Sequence, residues 1–384
     1  MKNMKGYQAE PPNFNYSLKD YINVIKSMRR LQSYKAIKYK DEREQLEEAL
    51  KKYLDIKFAL TVTSCAAGID MACEAIDLNE EDEVVSCAIN FYGTHLSVLR
   101  YNAKLVLVEP ENNSVQINAD EMAKKINKKT KAVIITQMNG SAGNMNKIID
   151  YIRKKEIEYK KKIYIIEDVA RSLGAEYYGK KVGTLGDIGI FSFQTKKNFG
   201  TLGEGGLIVT NDKIIYKKLK NIRAFGDRKE YVTNYKLSRV QCAVGLSQLS
   251  KLEKNNQKRI KVAKDRNKLL EKYKDKIYIE KDDTNIKNVY TYYNVILKEE
   301  YTRKDRDKIR KILKEKYNIE TCIANEPTYL THEYINKNIN KNDTPLATDI
   351  GGRILSLPIH FKMRKKDNKY IVNSLIKSIE NCKN

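Results

Sequence analysis

The sequence is poor in the residues that mark several classes of protein. Its 384 residues include no tryptophan, three histidines and six cysteines. The cysteines stand apart without a Cys-x-x-Cys pair, so neither a disulfide framework nor a zinc site is indicated. No stretch approaches the ~18 uninterrupted apolar residues that a membrane-spanning helix needs, and the first residues lack the apolar segment of a secretion signal. We therefore expect no membrane partner, no bound metal and a reducing cytoplasmic location.

Lysine, by contrast, is abundant. Lys and Arg number 73 against 49 Asp and Glu, which gives a formal net charge of +24. Such a surplus attracts anions such as nucleic acid or nucleotide-linked sugars. The lysines are spread along the chain and mixed with acids, and no element interleaves clustered cations with aromatic residues. The charge therefore indicates compositional bias with mild steering of anions, and we expect no nucleic-acid partner.

Apolar runs of strand length alternate with amphipathic segments of helix length through most of the chain. The runs that predict strands span 58–62, 84–88, 104–108, 132–136, 163–166, 188–193 and 207–209. This alternation predicts an α/β fold with a mostly parallel sheet between helices. Apolar spacing over 244–272 predicts a long helix or a broken helix pair that leads to a smaller C-terminal domain with a strand over 289–297.

The stretch from residue 163 to 210 concentrates residues that can do chemistry. A buried-strand pattern ends in Glu167 and Asp168, and the next strand is followed by Lys196 and Lys197. Ligands bind at the carboxyl edge of open α/β sheets, which is where an acid and a lysine at these positions would lie. A ligand site is therefore predicted at this edge. The residues by themselves do not separate Lys196 from Lys197.

Four motifs in combination carry a resemblance to a known family. They are EDVARSLGA at 167–175, FSF at 191–193, KN at 197–198 followed by GEGG at 203–206, and LSLPIH at 355–360. With them the chain resembles the DegT/StrS-type sugar aminotransferases, enzymes of the aspartate aminotransferase superfamily that use pyridoxal 5′-phosphate (PLP). Weaker matches run from about residue 40 to residue 360.

The resemblance implies the fold-type-I architecture of PLP transferases. In this architecture a large PLP-binding domain, expected at residues 1–250, contains a mostly parallel seven-stranded sheet between helices. A small α+β domain is expected at residues 251–384. The family pattern also implies a homodimer with shared active sites, because a loop asparagine, here Asn234, reaches the cofactor phosphate of the neighbouring subunit. Without the resemblance, Asn234 is simply an exposed loop residue.

The resemblance assigns the central chemistry to two residues. Lys197, which directly precedes Asn198, is expected to form the Schiff base with PLP. Asp168 is expected to keep the pyridine nitrogen of PLP protonated, since a carboxylate within hydrogen-bonding reach raises the pKa of that nitrogen. The alternative is a helix-capping role for Asp168.

Further cofactor contacts are implied around these two residues. Ser64, Cys65 and Ala66 open a helix after a strand, where backbone N–H groups and the helix dipole attract a phosphate. Ser192 is expected as a further phosphate ligand, and the ring of Phe91 is expected to stack on the cofactor. The alternatives are a helix cap at Ser64, a small buried hydroxyl at Ser192 and a core residue at Phe91.

Three positions depart from the family pattern. Ala66 lacks a customary hydroxyl, so phosphate binding would depend on the backbone N–H groups of Ala66 and Ala67, with Ser64. Arg171 replaces the usual Gln or His beside the 3-hydroxyl of PLP, where it could hydrogen-bond the phenolate oxygen or change substrate preference. Lys236 replaces an arginine.

The Gly203–Gly206 turn is expected to supply positive-φ positions and close packing under the site.

The expected function is transamination in amino-sugar biosynthesis. The amino group would move from L-glutamate or L-glutamine to a keto-sugar, usually nucleotide-linked, with a sugar phosphate or keto-inositol as alternative acceptors. A sugar dehydratase of the same family carries His in place of Lys197, so the lysine argues against that activity. A PLP-binding regulator without turnover would not need both Lys197 and Asp168.

Overall fold

The computed structural model describes residues 6–10, 14–32, 40–226, 232–280, 282–339 and 344–383. Its helices are α1 Leu18–Leu31, α2 Glu42–Leu54, α3 Cys65–Ala75, α4 Tyr92–Leu99, α5 Ala119–Lys125, α6 Met145–Tyr159, α7 Lys213–Arg223, α8 Arg239–Leu270, α9 Arg303–Tyr317, α10 Thr328–Thr331, α11 Glu333–Lys337, α12 Pro345–Arg353 and α13 Lys365–Glu380. Its strands are β1 Phe58–Val62, β2 Glu83–Cys87, β3 Lys104–Val108, β4 Thr130–Thr136, β5 Tyr164–Asp168, β6 Glu176–Tyr177, β7 Lys180–Lys181, β8 Ile188–Ser192, β9 Gly206–Thr210, β10 Ile277–Ile279, β11 Ile286–Lys287, β12 Tyr293–Leu297 and β13 Ile354–Leu357.

A seven-stranded sheet in the order β1-β9-β8-β5-β4-β2-β3 organises the larger part of the molecule. The neighbours from β8 to β3 pair in parallel, whereas β9 runs antiparallel to both β8 and β1. All residues of β2, β8 and β9 are buried. Since successive side chains of a strand point to opposite faces, both faces of this sheet are covered. The predicted fold class, α/β with a mostly parallel sheet, is confirmed.

The antiparallel strand β9 brings three chain segments together at one end of the sheet. Gly206, its first residue, pairs with Ser192 of β8 on one side and with Val62 of β1 on the other. A Cβ at Gly206 would lie 2.8 Å from the carbonyl carbon of Ser64 and 2.9 Å from the backbone nitrogen of Cys65. The turn after β1 can therefore lie against β9 only because residue 206 has no side chain.

Helix α8 links the large sheet to a second core. Up to Leu252 its apolar residues belong to the core around the sheet, and from Val262 onward they pack with β10, β12, β13, α9 and α13. The predicted domain boundary at residue 250 falls inside this helix and stays a prediction. Although α8 has 32 residues, it is polar. In the part of the chain that the structure describes, no helix has the combined length and apolar character to cross a membrane.

The strand predicted over residues 289–297 is shorter in the structure and begins at Tyr293. The preceding residues bond to the large sheet's loops instead. The Val289 N–H donates to the Gly140 carbonyl at 2.7 Å, and the Thr291 hydroxyl donates to the Arg171 carbonyl. Tyr290 has φ 48°, outside the extended region. The apolar pattern of this segment thus reflects burial between two parts of the molecule.

The start of the chain also crosses between these parts; we call residues 6–10 and 14 the N-terminal strap. Tyr7 forms a parallel bridge with Ile319, and its hydroxyl donates to Asp367 at 2.9 Å. Phe14 is buried against Gly200, where an added Cβ would lie 2.4 Å from the phenyl ring. The strap therefore runs from the C-terminal core to the loop that follows β8.

Replacement of Gly206 by alanine tests the close approach of β9 to the turn after β1. The atoms in the way belong to the backbone, so we expect Gly206→Ala to lower the free energy of unfolding by about 1–3 kcal/mol, as overpacked cores do. Urea titration followed by circular dichroism measures it. Gly143→Ala is the control, because the nearest atom to its added Cβ lies 3.8 Å away. Equal effects of the two substitutions would contradict this account.

Candidate active site

The acid predicted from the sequence, Asp168, lies at the end of β5 with 2% of its surface exposed. The Thr94 hydroxyl donates to its Oδ2 at 2.6 Å, and the Ala170 N–H donates to its Oδ1 at 3.0 Å. The Cys65 Sγ lies 3.8 Å from Oδ1, and burial raises the pKa of this thiol, so that it remains a donor. Among the described residues no cation forms a salt bridge with Asp168. Its charge is oriented and available to a cationic ligand group.

Lys197 differs sharply from its neighbour Lys196. The Lys196 side chain is 60% exposed and forms an ion pair with Glu10 at 3.0 Å. Lys197 is partly buried, and within the described ranges its Nζ has no hydrogen-bond or salt-bridge partner. Burial, followed by repulsion from Arg171, lowers its pKa to about 8, against smaller opposing effects of Cys65 and Asp168. An amine with a lowered pKa suits attack on a carbonyl, which favours Lys197 over Lys196.

The turn after β1 presents two N–H groups to a ligand. Ser64 caps α3, and its Oγ accepts a hydrogen bond from the Ala67 N–H at 3.0 Å. The expected donor at Ala67 is thus already used. The N–H groups of Cys65 and Ala66 have no acceptor among the described residues, and Ala66 is exposed. Together with the helix dipole, they form a place for an anion.

Ser192 lies close to this turn, on the other side of β9. Its backbone pairs with Gly206, which contacts the Ser64–Cys65 backbone. Ser192 is 6% exposed, and its Oγ accepts from the Gln194 N–H at 3.4 Å. Of the predicted glycine turn, Gly203 has the expected positive φ, 102°, and Gly206 provides the close packing.

Phe91 is not a core residue, because 48% of its surface is exposed. It precedes α4, the helix that carries Thr94, and its N–H donates to the Asn90 side chain at 2.7 Å. Its ring lies 4.2 Å from that of Tyr92, centroid to centroid. Phe91 therefore lies at the start of the helix whose Thr94 hydroxyl donates to Asp168.

Arg171 connects the two parts of the molecule. Its Nη1 donates to Oδ1 of Asn139 at 3.3 Å and to the Ala324 carbonyl at 3.2 Å. The guanidinium carbon lies 4.4 Å from the centroid of the Tyr292 ring. Arg171 thus contacts Asn139 from the loop after β4, and Ala324 and Tyr292 from the C-terminal part of the chain.

Asn234 lies in an exposed position on a loop that returns to the turn after β1. The Tyr235 carbonyl accepts from the Thr63 N–H at 2.9 Å, and Lys236 forms a bridge with Val62. The Asn234 Oδ1 accepts from the Lys236 N–H at 3.1 Å. Residues 227–231, earlier in the same loop, lie outside the described residues. The expected contact of Asn234 with a neighbouring subunit stays a prediction.

Sequence reasoning missed Thr94, Glu10 and Tyr292. Thr94 lies three residues after Phe91 at the start of α4, and this spacing was the available signal. Glu10 and Tyr292 meet through a hydrogen bond from the tyrosine hydroxyl to the carboxylate. No local pattern links residues 282 positions apart, so this pair could not have been found from the sequence.

The arrangement combines an amine of lowered pKa, a buried carboxylate, an anion-binding turn and an exposed aromatic ring. Such a set can hold a phosphorylated heteroaromatic aldehyde: the phosphate at the turn, the ring nitrogen at the acid and the aldehyde at the amine. In the described part of the chain, no group of three or more His, Cys, Asp or Glu side chains is placed to hold a metal ion.

Comparisons with known proteins agree with this chemistry. The model of the DegT/DnrJ/EryC1/StrS aminotransferase family matches residues 22–376. The chain is 31% identical over 356 residues to uncharacterized protein MJ1066 of Methanocaldococcus jannaschii, covering 87% of this chain and 89% of the relative. It is 26% identical over 339 residues to GDP-perosamine synthase of Escherichia coli O157:H7, covering 86% and 88%.

A solved structure has the same fold. The putative sugar aminotransferase Spr1654 of Streptococcus pneumoniae, in its PMP form, superimposes with a TM-score of 0.89, with 19% sequence identity and coverage of 98% of each chain. The chain therefore belongs to the DegT/DnrJ/EryC1/StrS aminotransferase family and is a PLP-dependent aminotransferase of fold type I.

Proposed function

We propose that this aminotransferase moves the amino group of L-glutamate or L-glutamine to the ketone of a nucleotide-linked sugar, in amino-sugar biosynthesis. The observation that carries the reaction is the amine of Lys197, which has no partner among the described residues and a pKa lowered to about 8, in the same site as the buried carboxylate of Asp168. The name of the relative GDP-perosamine synthase supports a sugar acceptor carried by a nucleotide. The net charge of +24 suits an acceptor with a diphosphate.

The residues present fit PLP. Asp168 would hold the pyridine nitrogen, and its two hydrogen bonds from Thr94 and Ala170 fix the carboxylate for this task. The N–H groups of Cys65 and Ala66, which have no acceptor in the described part of the chain, would bind the phosphate. When bound, PLP supplies an electron sink for the bond that breaks at the donor's α-carbon.

Two more side chains complete the proposed cofactor site. The Ser192 hydroxyl would add a phosphate contact beside the turn, and Phe91 would cover one face of the ring with its exposed phenyl group. Arg171 would lie near the 3-hydroxyl, although its described hydrogen bonds go to Asn139 and Ala324.

Lys197 would carry the proton during transfer. Because its pKa is about 8, a useful fraction of the amine is neutral near pH 7.5 and can take a proton at Nζ. It would take this proton from the α-carbon of the donor and return it to the carbon that had carried the aldehyde. Asp168 would keep the ring nitrogen protonated throughout, so that negative charge can spread over the ring.

We also propose a homodimer that shares its active sites. Helix α1 exposes apolar residues at helical spacing: Leu18 is 73% exposed, Tyr21 60%, Ile25 50% and Met28 51%. A continuous exposed apolar face of this kind is typical of a subunit interface. The exposed Asn234 is the residue through which one subunit would complete the phosphate site of the other.

The first half-reaction tests the proposed function directly. We expect purified protein with PLP to show the visible band of the lysine-bound cofactor, and L-glutamate or L-glutamine to bleach it toward the pyridoxamine form. In Lys197→Ala we expect no lysine-bound band. Absorption scans with and without donor measure both effects.

Lys196→Ala is the matched control and should keep the band, because that lysine is exposed and paired with Glu10. A band that survives in Lys197→Ala would overturn the assignment of the lysine. A band that neither donor bleaches would favour a PLP-binding regulator over an enzyme using these donors.

The lowered pKa of Lys197 predicts a pH dependence. PLP-free protein should capture PLP faster as pH rises, with a midpoint near 8, because the neutral amine is the nucleophile. Arg171→Gln removes a repelling cation and should raise the Lys197 pKa. Capture at pH 7 should then slow by roughly three- to tenfold, since each pKa unit changes the free amine about tenfold. Stopped-flow absorbance against pH measures this rate.

Lys218→Gln, which removes an exposed cation paired with Asp77, is the control and should leave the midpoint unchanged. If Arg171→Gln left the midpoint in place or lowered it, the electrostatic account of Lys197 would be wrong.

Subunit mixing tests the shared site. If Asn234 acts across the interface, a hybrid of Lys197→Ala and Asn234→Ala subunits has one site with both lesions and one with neither. An equimolar mixture refolded together should then regain about a quarter of wild-type activity, since about half of the dimers are hybrids with one intact site each. Size-exclusion chromatography with light scattering checks the dimer.

A mixture of Lys197→Ala and Asp168→Ala should stay inactive, because both residues belong to the same site of one chain. Absence of recovery in the first mixture, or a monomer in solution, would contradict the shared site.

A further inference from the structure

A chain of four polar side chains lies beside Lys197 of the candidate active site, where the charges of Arg171 and Glu10 act on the lysine amine. The Arg171 guanidinium stacks on the Tyr292 ring, and the Tyr292 hydroxyl donates to Oε1 of Glu10. Oε2 of Glu10 accepts from Lys196 Nζ at 3.0 Å. Lys196 adjoins Lys197, so this chain leads from Arg171 back to the lysine of the site. We call these residues the mouth bridge: Arg171, Tyr292, Glu10 and Lys196.

Arg171 is the member of the bridge whose preferred partner is missing. Its described hydrogen bonds go to two neutral oxygens, on Asn139 and on the Ala324 backbone. In the described ranges no carboxylate lies within 4.0 Å of its guanidinium nitrogens. A guanidinium presents a planar fork of donors that matches a carboxylate with two parallel hydrogen bonds. The half-buried Arg171 therefore has unused capacity for a carboxylate.

Glu10 is the one carboxylate that the described residues place in the bridge. The N-terminal strap holds it there, with Tyr7 anchored on Ile319 and Phe14 buried against Gly200. Burial raises the Glu10 pKa, but hydrogen bonds from Tyr292 and Lys196 outweigh burial and lower it overall. Glu10 is thus ionised at neutral pH. It accepts a hydrogen bond from the hydroxyl of Tyr292, the residue whose ring stacks on Arg171.

The mouth bridge therefore resembles a carboxylate-binding site that is occupied by Glu10, a carboxylate of the protein itself. An arriving carboxylate could take the fork of Arg171 and the Tyr292 hydroxyl if Glu10 gave up that hydroxyl. Glu10 would keep its pairing with the exposed Lys196 and could move with it, since the Lys196 side chain is 60% exposed. The exchange replaces one charge-assisted hydrogen bond by another and adds a two-pronged contact.

We propose that Arg171 and Tyr292 bind a carboxylate of the amino-acid donor, and that Glu10 competes for the same Tyr292 hydroxyl when the donor is absent. This inference rests on the proposed transamination, because it assigns a role toward the donor. It gives a role to the contacts of Arg171 with Ala324 and Tyr292. It also gives the N-terminal strap a part in donor selection.

Binding of glutarate to the PLP-loaded protein tests the proposal without turnover. Glutarate carries two carboxylates but no amino group, so it cannot react. We expect Arg171→Gln to weaken glutarate binding about tenfold or more, the scale of one lost charge-assisted contact. Glu10→Gln removes the competing charge, so it should tighten glutarate binding several-fold. Isothermal titration calorimetry at pH 7.5 measures both dissociation constants.

Glu299→Gln is the matched control, because Glu299 also accepts a hydrogen bond from a tyrosine hydroxyl, that of Tyr278 at 3.1 Å, on an exposed surface. It should leave the dissociation constant unchanged. Should Arg171→Gln fail to fold, Arg171→Lys keeps the charge but loses the fork, and we expect it to weaken glutarate binding at least threefold, as loss of a two-pronged contact does.

Two results would overturn the proposal. One is unchanged glutarate affinity in the Arg171 variant. If that variant altered only the pH dependence of the cofactor's absorption band, Arg171 would act on the cofactor's 3-hydroxyl alone and not on the donor. The other is unchanged or weaker binding in Glu10→Gln. Failure of the proposed function looks different, since it is the absence of bleaching by a donor and does not depend on glutarate affinity.

Discussion

A buried carboxylate that forms no salt bridge within the described part of the chain is the constraint on which this structure depends. Asp168 is 2% exposed, and its carboxylate is held by the Thr94 hydroxyl, the Ala170 N–H and the Cys65 thiol. Burial of an ionised carboxylate costs several kcal/mol unless donors surround it. The three donors come from α4, from the turn after β5 and from the start of α3. Stabilising one charge therefore fixes three segments relative to the sheet.

The anion-binding turn depends on a second constraint, which is steric. The turn can lie against β9 because Gly206 has no side chain, and the antiparallel direction of β9 puts Gly206 at the end of the sheet where Ser192 and Val62 also lie. Backbone donors at a helix N-terminus attract phosphate only if nothing fills the space in front of them. Strand direction, a glycine and a helix start together produce the proposed phosphate site beside the proposed pyridine site.

Much of this could be predicted from the sequence, and the exceptions have physical reasons. The strands of the sheet were recognisable because buried strands are continuous apolar runs, and Asp168 because it ends one of them. The residues alone did not separate Lys197 from Lys196, because burial cannot be read from two adjacent lysines, and only the resemblance, through Asn198, favoured Lys197. Residues 289–292 read as strand because burial between two parts of a molecule gives the same apolar pattern. Glu10 and Tyr292 meet only through folding.

Arg171 shows how one substitution in a family pattern changes several properties together. Its positive charge helps to lower the pKa of Lys197, which favours the neutral amine needed for carbonyl chemistry. The same charge would attract a donor carboxylate, but a permanent cation there also makes the mouth attractive to other anions. Glu10 offsets this attraction, because it is ionised and interacts electrostatically with both Lys196 and Arg171. In the proposed exchange Glu10 would release the Tyr292 hydroxyl to a better-matched carboxylate and keep its ion pair with the exposed Lys196. Glu10 would therefore shield the charge of Arg171 from other anions without blocking the donor carboxylate.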